Sequence, residues 1–240
     1  MYLSIVIPYY NEKSIILESI ENINNFFLNK FEFEIILIDD GNTNSFHTPD
    51  SYNKYNNLKI YKNPKNYGKG YSIRKGIKLS KGKIILVTDA DLSTPINQFD
   101  LLHKEYKDGN DLVMGSRSTV DSKITQKQNF IRIFIGRMFN ILVNRLAGLS
   151  FSDTQCGFKL FNGQKVKKII AYSFINRFCI DVEILFLFNK SNFKIVEIGV
   201  EWHNDYNSSV RLMQDSFIMF VDLLKIKWKH RNFRPEDQSS

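Results

Sequence analysis

The chain has 240 residues, of which 43% are hydrophobic and 24% charged, and its formal net charge is +8 at pH 7. This length and apolar content suit one large domain with a buried core and exclude a disordered or fibrous protein. The positive charge favours acidic partners, namely nucleotides, phosphates, nucleic acid or anionic lipid surfaces, without choosing among them.

Five apolar runs in the first half predict strands: Leu3 to Pro8, Phe33 to Ile38, Leu58 to Tyr61, Lys83 to Thr88 and Asp111 to Gly115. Segments between them carry apolar residues at helical spacing and predict helices over Glu12 to Phe27, Tyr71 to Ser80 and Ile96 to Lys107. This alternation predicts an α/β fold with a mainly parallel central sheet, in which ligands bind at the carboxyl ends of the strands.

The fourth predicted strand leads into a polar loop that carries two carboxylates, Asp89 and Asp91. In an extended backbone, side chains two residues apart point the same way, so both carboxylates can face one ligand. Two carboxylates this close are unfavourable unless a positive charge lies beside them. A divalent cation such as Mg²⁺ or Mn²⁺, bound also to a substrate diphosphate, would supply that charge. An aspartate-rich surface turn explains the same stretch equally well.

The second half of the chain contains an apolar and basic segment from Gln128 to Leu149. A helical projection of this segment places four residues on one arc: Arg132, Gly136, Asn140 and Asn144. The pattern predicts either a core helix pair or a helix in a membrane interface, where arginine side chains meet lipid phosphates.

A further amphipathic stretch, Asp215 to Arg231, ends in several cations and a tryptophan. It is typical of a helix in the lipid headgroup layer and equally of a solvated final helix. We therefore divide the chain into a main domain at 1–212 with a helical insertion at about 125–149, a basic amphipathic helix at 213–234 and a disordered tail at 235–240.

No secretory signal is expected, because the chain opens directly on a strand-like segment without a basic start or a small-residue cleavage site. Charged residues interrupt the longest apolar stretches, whereas a membrane span needs about 20 apolar residues in succession. With only two cysteines, Cys156 and Cys179, no disulfide framework is indicated. We expect a cytoplasmic protein without a transmembrane span.

Four motifs follow one another at or after the predicted strand ends: Ser4 to Glu12, Asp39-Asp40-Gly41, Asn66-Tyr67-Gly68-Lys69-Gly70 and Asp89-Ala90-Asp91. In this order they resemble the inverting family 2 glycosyltransferases, which have the Rossmann-like GT-A fold. Two further runs, Gly115-Ser116-Arg117 and Asp153 to Phe161, are similar to the branch that glycosylates dolichyl or other polyprenyl phosphates. The second run is most similar to the dolichyl-phosphate β-glucosyltransferases.

The resemblance implies a nucleotide-sugar site built from most of these motifs. It places four residues around the base and ribose: Pro8, Tyr10, Glu12 and Asp39. Lys69 would contact the nucleotide or a phosphate, and Asp89-Ala90-Asp91 would lie at the diphosphate, with Asp89 and Asp91 holding Mg²⁺ or Mn²⁺. Purely structural roles also fit, since Pro8 suits a strand end, Glu12 the first turn of a helix, and Lys69 a plain loop.

The implied reaction is attack by a polyprenyl phosphate oxygen on the anomeric carbon of UDP-glucose, with inversion. Asp91 would hold the metal, and Arg117 and Arg132 would bind the acceptor phosphate, because a guanidinium fork matches phosphate oxygens. Asp153 would orient one of these arginines or the sugar, or would cap a helix that begins near Thr154.

Two departures from the family pattern affect these expectations. Ser93 stands where the mannosyl branch has glutamine, which favours the glucosyl branch and leaves a third metal ligand unassigned. The loop Asn207 to Val210 has Ser209 where the family has a lysine that clamps the diphosphate, and Arg211 is the candidate replacement.

Alternative functions remain open at this stage. They are transfer from GDP-mannose, transfer to a hydroxyl acceptor, and a catalytically silent protein that binds nucleotide sugars or lipids. A nucleic-acid partner is not expected, because the cations are spread along the chain without a recognisable docking module. We expect a peripheral enzyme on the cytoplasmic face of a membrane, held there by its amphipathic basic helices.

Overall fold

The computed structural model describes residues 1–11, 13–42, 54–125, 130–203 and 212–235. Its strands are β1 (Leu3–Tyr9), β2 (Phe33–Asp39), β3 (Leu58–Lys62), β4 (Ile84–Val87), β5 (Leu112–Ser116), β6 (Lys123–Ile124), β7 (Lys159–Asn162), β8 (Ile195–Gly199) and β9 (Glu201–Trp202). Its helices are α1 (Lys13–Phe27), α2 (Lys69–Leu79), α3 (Phe99–Lys107), α4 (Phe130–Ala147), α5 (Gly163–Ile170), α6 (Ile180–Lys190) and α7 (Leu212–Lys229). A short 3₁₀ helix over Ile96–Gln98 leads into α3.

The central sheet has seven strands in the order β3-β2-β1-β4-β7-β5-β8. Strands β1, β2, β3 and β4 are parallel, as are β5 and β8, whereas β7 runs antiparallel between β4 and β5. The predicted α/β fold with a mainly parallel sheet is therefore confirmed. Because β7 is reversed, the segment that precedes it lies at the same edge as the carboxyl ends of its neighbours.

Both faces of the sheet are buried, which explains why its strands are nearly continuous apolar runs. One face, represented by Ile5 and Ile7, packs against apolar residues of α1 and α3. The other face, represented by Val6, packs against residues of α2 and of the helices from α4 to α7. The result is a helix–sheet–helix layering around one central sheet.

Helices α4 and α7 pack against each other and also present apolar residues to solvent. Phe139 and Val143 of α4 and Leu223 of α7 belong to the buried core. Six other apolar residues of these helices are more than half exposed: Phe130, Phe134, Met138, Ile141, Phe217 and Trp228. The segment predicted as either a core helix pair or an interface helix is thus a single helix, with one side in the core and an exposed apolar side.

None of the described helices is both long enough and apolar enough to cross a membrane. The C-terminal helix ends at Lys229, and of the predicted tail only residue 235 belongs to the described part.

Candidate active site

The turn after β4 places the two acidic residues differently from the sequence-based expectation. Asp89, Ala90 and Asp91 form a tight turn, in which the N–H of Leu92 donates to the carbonyl of Asp89 at 3.3 Å. Leu92 has a positive φ of 48°, a conformation that bulky residues rarely adopt. The prediction of an extended backbone was therefore wrong, and the alternative of an aspartate-rich turn describes residues 89–92.

Contacts from two other parts of the chain fix this turn. Ser19 of α1 donates its hydroxyl to the carbonyl of Ala90 at 2.6 Å. The carboxylate of Asp91 accepts the N–H of Ser93 at 2.9 Å and its hydroxyl at 2.7 Å. These bonds hold the Asp91 carboxylate in one orientation next to the Ser93 hydroxyl.

Lys69, the first residue of α2, makes an ion pair with Asp89, with 2.5 Å between Nζ and Oδ1. Burial alone would raise the pKa of Asp89, but the neighbouring Lys69 charge and hydrogen bond hold it below its usual range. Burial alone would lower the pKa of Lys69. The neighbouring Asp89 charge has the larger effect, so the pKa of Lys69 lies above its usual range. The Asp89 side chain is 39% exposed, so this charged pair is accessible to a ligand.

Gly157 lies directly against the Asp89 carboxylate. A Cβ at this position would be 2.3 Å from Asp89 Oδ2, far inside van der Waals contact. The segment before β7 therefore forms one wall around Asp89, and any side chain at position 157 would displace the Asp89 carboxylate from its present place.

A second ion pair is buried beneath the first one. Lys159 of β7 lies 2.7 Å from Asp181 of α6, and their side chains are only 1% and 8% exposed. Lys159 also donates to the carbonyl of Cys156. The Lys159 charge also lowers the pKa of Asp89. The buried pair therefore helps to keep the Asp89 carboxyl ionised.

Arg117, immediately after β5, forms a bidentate pair with Asp153. Its Nε donates to Oδ2 at 2.6 Å and one terminal nitrogen donates to Oδ1 at 2.9 Å. Burial alone would raise the pKa of Asp153. The charge and hydrogen bonds of Arg117 have the larger effect and lower this pKa to about 2. Residues 154 and 155 form a turn, so the predicted helix cap near Thr154 was wrong. The catalytic roles of Arg117 and Asp153 stay predictions.

The residues predicted to contact the base and ribose lie after β1 and β2. Pro8 lies within β1, which continues to Tyr9, and Tyr10 is exposed. Asp39 is buried, and its Oδ1 accepts the backbone and amide N–H groups of Asn42 at 3.0 and 2.7 Å. Its buried Oδ2 has no hydrogen-bond partner within the described residues. Glu12 lies outside them.

Asp40, to which the sequence pattern assigned no role, accepts hydrogen bonds from the segment just before Lys69 and from α2. Its Oδ2 accepts the N–H of Gly68 at 2.7 Å, and its Oδ1 accepts the N–H of Tyr67 and the hydroxyl of Ser72, both at 3.1 Å. Asp40 belongs to the same sequence motif as Asp39 and could have been singled out on that ground. Its role could not be predicted, because the sequence does not show that this motif and the Lys69 motif are adjacent in space.

The remaining predicted site residues lie at or beyond the limits of the described structure. Arg132 belongs to α4, but its side chain is outside the described part, as are Ser209 and Arg211. His203, the last described residue before 204–211, donates its N–H to the carbonyl of Ser93 at 2.7 Å. His203 therefore lies beside the acidic turn, whereas the predicted clamp segment itself is outside the described residues.

The described residues contain no group of three or more His, Cys, Asp or Glu side chains arranged to hold a metal ion. Both cysteines are free and buried, and burial raises the pKa of each thiol. The polar side chains described at this edge of the sheet are therefore carboxylates, hydroxyls, lysine and arginine.

Comparison with known proteins agrees with this geometry. Residues 4–170 match the model of the family described as Glycosyl transferase family 2. A dolichyl-phosphate beta-glucosyltransferase of Dictyostelium discoideum is 36% identical over 252 residues, covering 96% of this chain and 75% of that protein. The Saccharomyces cerevisiae protein of the same name is 33% identical, covering 95% of this chain and 74% of its own length.

Solved structures show the same fold at much lower sequence identity. A glucosyl-3-phosphoglycerate synthase from Mycobacterium tuberculosis, crystallised with uridine diphosphate, superposes with a TM-score of 0.72 at 16% identity, covering 98% of this chain and 82% of that one. A mannosyl-3-phosphoglycerate synthase from Rubrobacter xylanophilus gives a TM-score of 0.68 at 16% identity, covering 100% of this chain and 78% of that one.

Proposed function

Because the chain belongs to glycosyl transferase family 2, we propose that it transfers glucose from UDP-glucose, with inversion, to a polyprenyl phosphate such as dolichyl phosphate. Relatives at 33% and 36% identity over nearly the whole chain carry the name of this activity. One observation in the site favours a phosphate acceptor over a hydroxyl acceptor: the carboxylate of Asp153 is committed to Arg117.

A hydroxyl acceptor needs a base to take its proton, whereas a phosphate acceptor does not. The second pKa of a phosphomonoester is about 6, so the acceptor is mostly a dianion near pH 7. Asp153, with a pKa of about 2 and both oxygens bonded to Arg117, is a poor base at neutral pH. This pair instead suits a guanidinium held in place to bind an anion.

On the donor side, Lys69 and Asp89 would interact with the departing diphosphate. Lys69 is charged at neutral pH and only 22% exposed, so its interaction with a phosphate is weakly screened by water. When phosphate oxygens arrive beside Asp89, Lys69 is the cation that offsets the added negative charge. Negative charge develops on the leaving diphosphate, so a fixed cation at this position favours the transition state.

We further propose a divalent cation, Mg²⁺ or Mn²⁺, at the acidic turn. The residues fit such an ion: two carboxylates within three residues and the Ser93 hydroxyl are hard oxygen donors, which both metals prefer. Asp91 is the better ligand of the two carboxylates, because Asp89 is already paired with Lys69. When bound, the ion would act as a Lewis acid on the diphosphate.

The exposed face of α4 and α7 is proposed to lie in the headgroup layer of a membrane, on its cytoplasmic side. Phe134, Phe217 and Trp228 are 57, 70 and 69% exposed, an amount of apolar surface that a protein facing only water rarely leaves uncovered. Cations occupy the last turn of both helices, Arg145 in α4 and Lys227 and Lys229 in α7. Apolar rings flanked by cations match an anionic lipid surface.

A donor screen tests the reaction. Purified protein is incubated with Mg²⁺ or Mn²⁺, polyprenyl phosphate and each of several labelled UDP and GDP sugars, and label is measured in the organic extract. We expect UDP-glucose to give the highest rate and Asp91→Asn to reduce it at least 100-fold. The control is Asp100→Asn, which alters an exposed aspartate of α3 paired with Lys30. Near-full activity of Asp91→Asn would contradict the metal assignment.

Liposome flotation tests the membrane face. The double variant Phe134→Ser/Phe217→Ser should lose most of its binding to vesicles containing anionic lipid. The matched control is Leu101→Ser, which removes an exposed apolar side chain from α3. Equal flotation of the double variant and the control would place the membrane contact elsewhere.

A further inference from the structure

One side chain of α4 binds the backbone on both sides of Asp153. The amide nitrogen of Asn140 donates to the carbonyls of Phe151 at 2.8 Å and Ser152 at 3.0 Å. Its amide oxygen accepts the N–H and the hydroxyl of Thr154 at 3.2 and 2.9 Å. Both donors and both lone pairs of the amide are therefore used, and Asp153 lies between the residues that they hold.

Glu197 of β8 holds the same segment from the other direction. Its carboxylate accepts the N–H of Asp153 at 2.6 Å and that of Ser152 at 2.7 Å. With its backbone fixed in this way, the Asp153 side chain presents both oxygens to Arg117. The orientation of the Arg117 guanidinium thus depends, two contacts away, on Asn140.

The helix that carries Asn140 has three distinct faces. Phe134, Met138 and Ile141 form the exposed apolar face, and Phe139 and Val143 face the core. At about 100° per residue, Asn140 falls on a third face between these two. The same helix therefore contacts the proposed lipid surface on one side and the Arg117 site on another.

We propose that Asn140 of α4 is a positioning residue for the acceptor phosphate, because it holds the segment whose Asp153 orients Arg117. This inference rests on the proposed function, because the acceptor is a phosphate that arrives from the lipid layer. Asn140 does not touch the reacting atoms; it fixes the segment that aims the guanidinium.

The experiment compares Asn140→Ala with Asn144→Ala, one turn further along α4. Within the described residues, the Asn144 side chain makes two hydrogen bonds, both to the backbone of Phe151, so its loss leaves Ser152 and Thr154, the two neighbours of Asp153, held by Asn140. We expect Asn140→Ala to lower kcat/KM for polyprenyl phosphate roughly 10- to 100-fold, since misplacement of a binding group by about 1 Å has effects of this size. Asn144→Ala should stay within about 3-fold of the wild type.

Two further readouts separate positioning from general damage. The dissociation constant for UDP, measured by calorimetry, should change less than about 2-fold in Asn140→Ala, because the hydrogen bonds of this side chain go to residues 151, 152 and 154 and not to Lys69, Asp89 or Asp91. The side-chain Nε–H resonance of Arg117, which reports its hydrogen bond to Asp153, should shift. If Asn140→Ala does not fold, Thr154→Val removes one of the same hydrogen bonds without changing volume and should shift that resonance in the same direction.

An unchanged kcat/KM for the acceptor, an unmoved Arg117 resonance, or an equal loss of UDP affinity would each overturn the proposal. Failure of the proposed function gives a different result: the wild-type protein itself would transfer no glucose to polyprenyl phosphate. In that case, the Arg117 resonance still decides whether Asn140 positions the guanidinium.

Discussion

Replacement of Asp153 by asparagine should destabilise the protein in a manner that depends on pH. The side chain is 7% exposed, and its carboxylate makes two charged hydrogen bonds to Arg117, one through Nε and one through a terminal nitrogen. Asp153→Asn removes the negative charge and turns one carboxylate oxygen into an N–H donor that faces another donor. The Arg117 charge then remains only 29% exposed without its partner.

The size of the effect follows from the carboxyl pKa. A shift from 3.8 in the unfolded chain to about 2 in the folded protein corresponds to about 2 kcal/mol of stability at neutral pH. Because the folded-state pKa is the lower one, this contribution is complete above the unfolded value. It is lost as the pH falls through the folded value.

Urea unfolding of wild type and Asp153→Asn at several pH values measures this contribution. The difference in unfolding free energy should be about 2 kcal/mol at pH 7 and at pH 5, and should shrink below about pH 4. The exposed pair Lys30–Asp100 provides a control, because Asp100→Asn should cost less than about 1 kcal/mol. Equal stability of wild type and Asp153→Asn at pH 7, or a difference that persists unchanged to pH 3, would refute the reasoning.

Three further outcomes are expected. Gly157→Ala should reduce transfer at least 10-fold by displacing Asp89, whereas Gly136→Ala, where a Cβ meets nothing within 4 Å, should keep activity and raise stability by up to about 1 kcal/mol. Lys159→Met should lower the unfolding free energy by about 3–5 kcal/mol, and a second change, Asp181→Leu, should recover much of it in urea titrations. Chelation of divalent ions should abolish transfer, and added Mg²⁺ or Mn²⁺ should restore it; persistent activity would contradict the metal proposal.

Much of the first half of the fold was predictable from local pattern. The five predicted strands were all found, with ends within one residue of the observed ones, because strands buried on both faces leave continuous apolar runs. The helix over 71–80 begins two residues earlier, at Lys69, since the two residues before it, Tyr67 and Gly68, are held by hydrogen bonds to distant Asp40.

The second half was less predictable because its pairing is long-range. Strand β7 inserts antiparallel between β4 and β5, and a four-residue segment carries no local sign of that choice. The turn at Asp89 illustrates the same limit at the site. Two acidic residues at that spacing indicate a polar loop, but they do not predict the tight turn there, one carbonyl of which is bound by distant Ser19.

The C-terminal helix is connected to the interior by a histidine. His230 lies 2.8 Å from Glu183, a fully buried carboxylate that also accepts the backbone N–H groups of Phe174 and Ile175. Truncation before α7 is a common way to remove an amphipathic helix before expression. Here it would remove the His230 partner of Glu183 and expose the core residues that Leu223 packs against. Polar substitutions of the exposed residues Phe217 and Trp228, with α7 retained, should give more soluble protein than truncation.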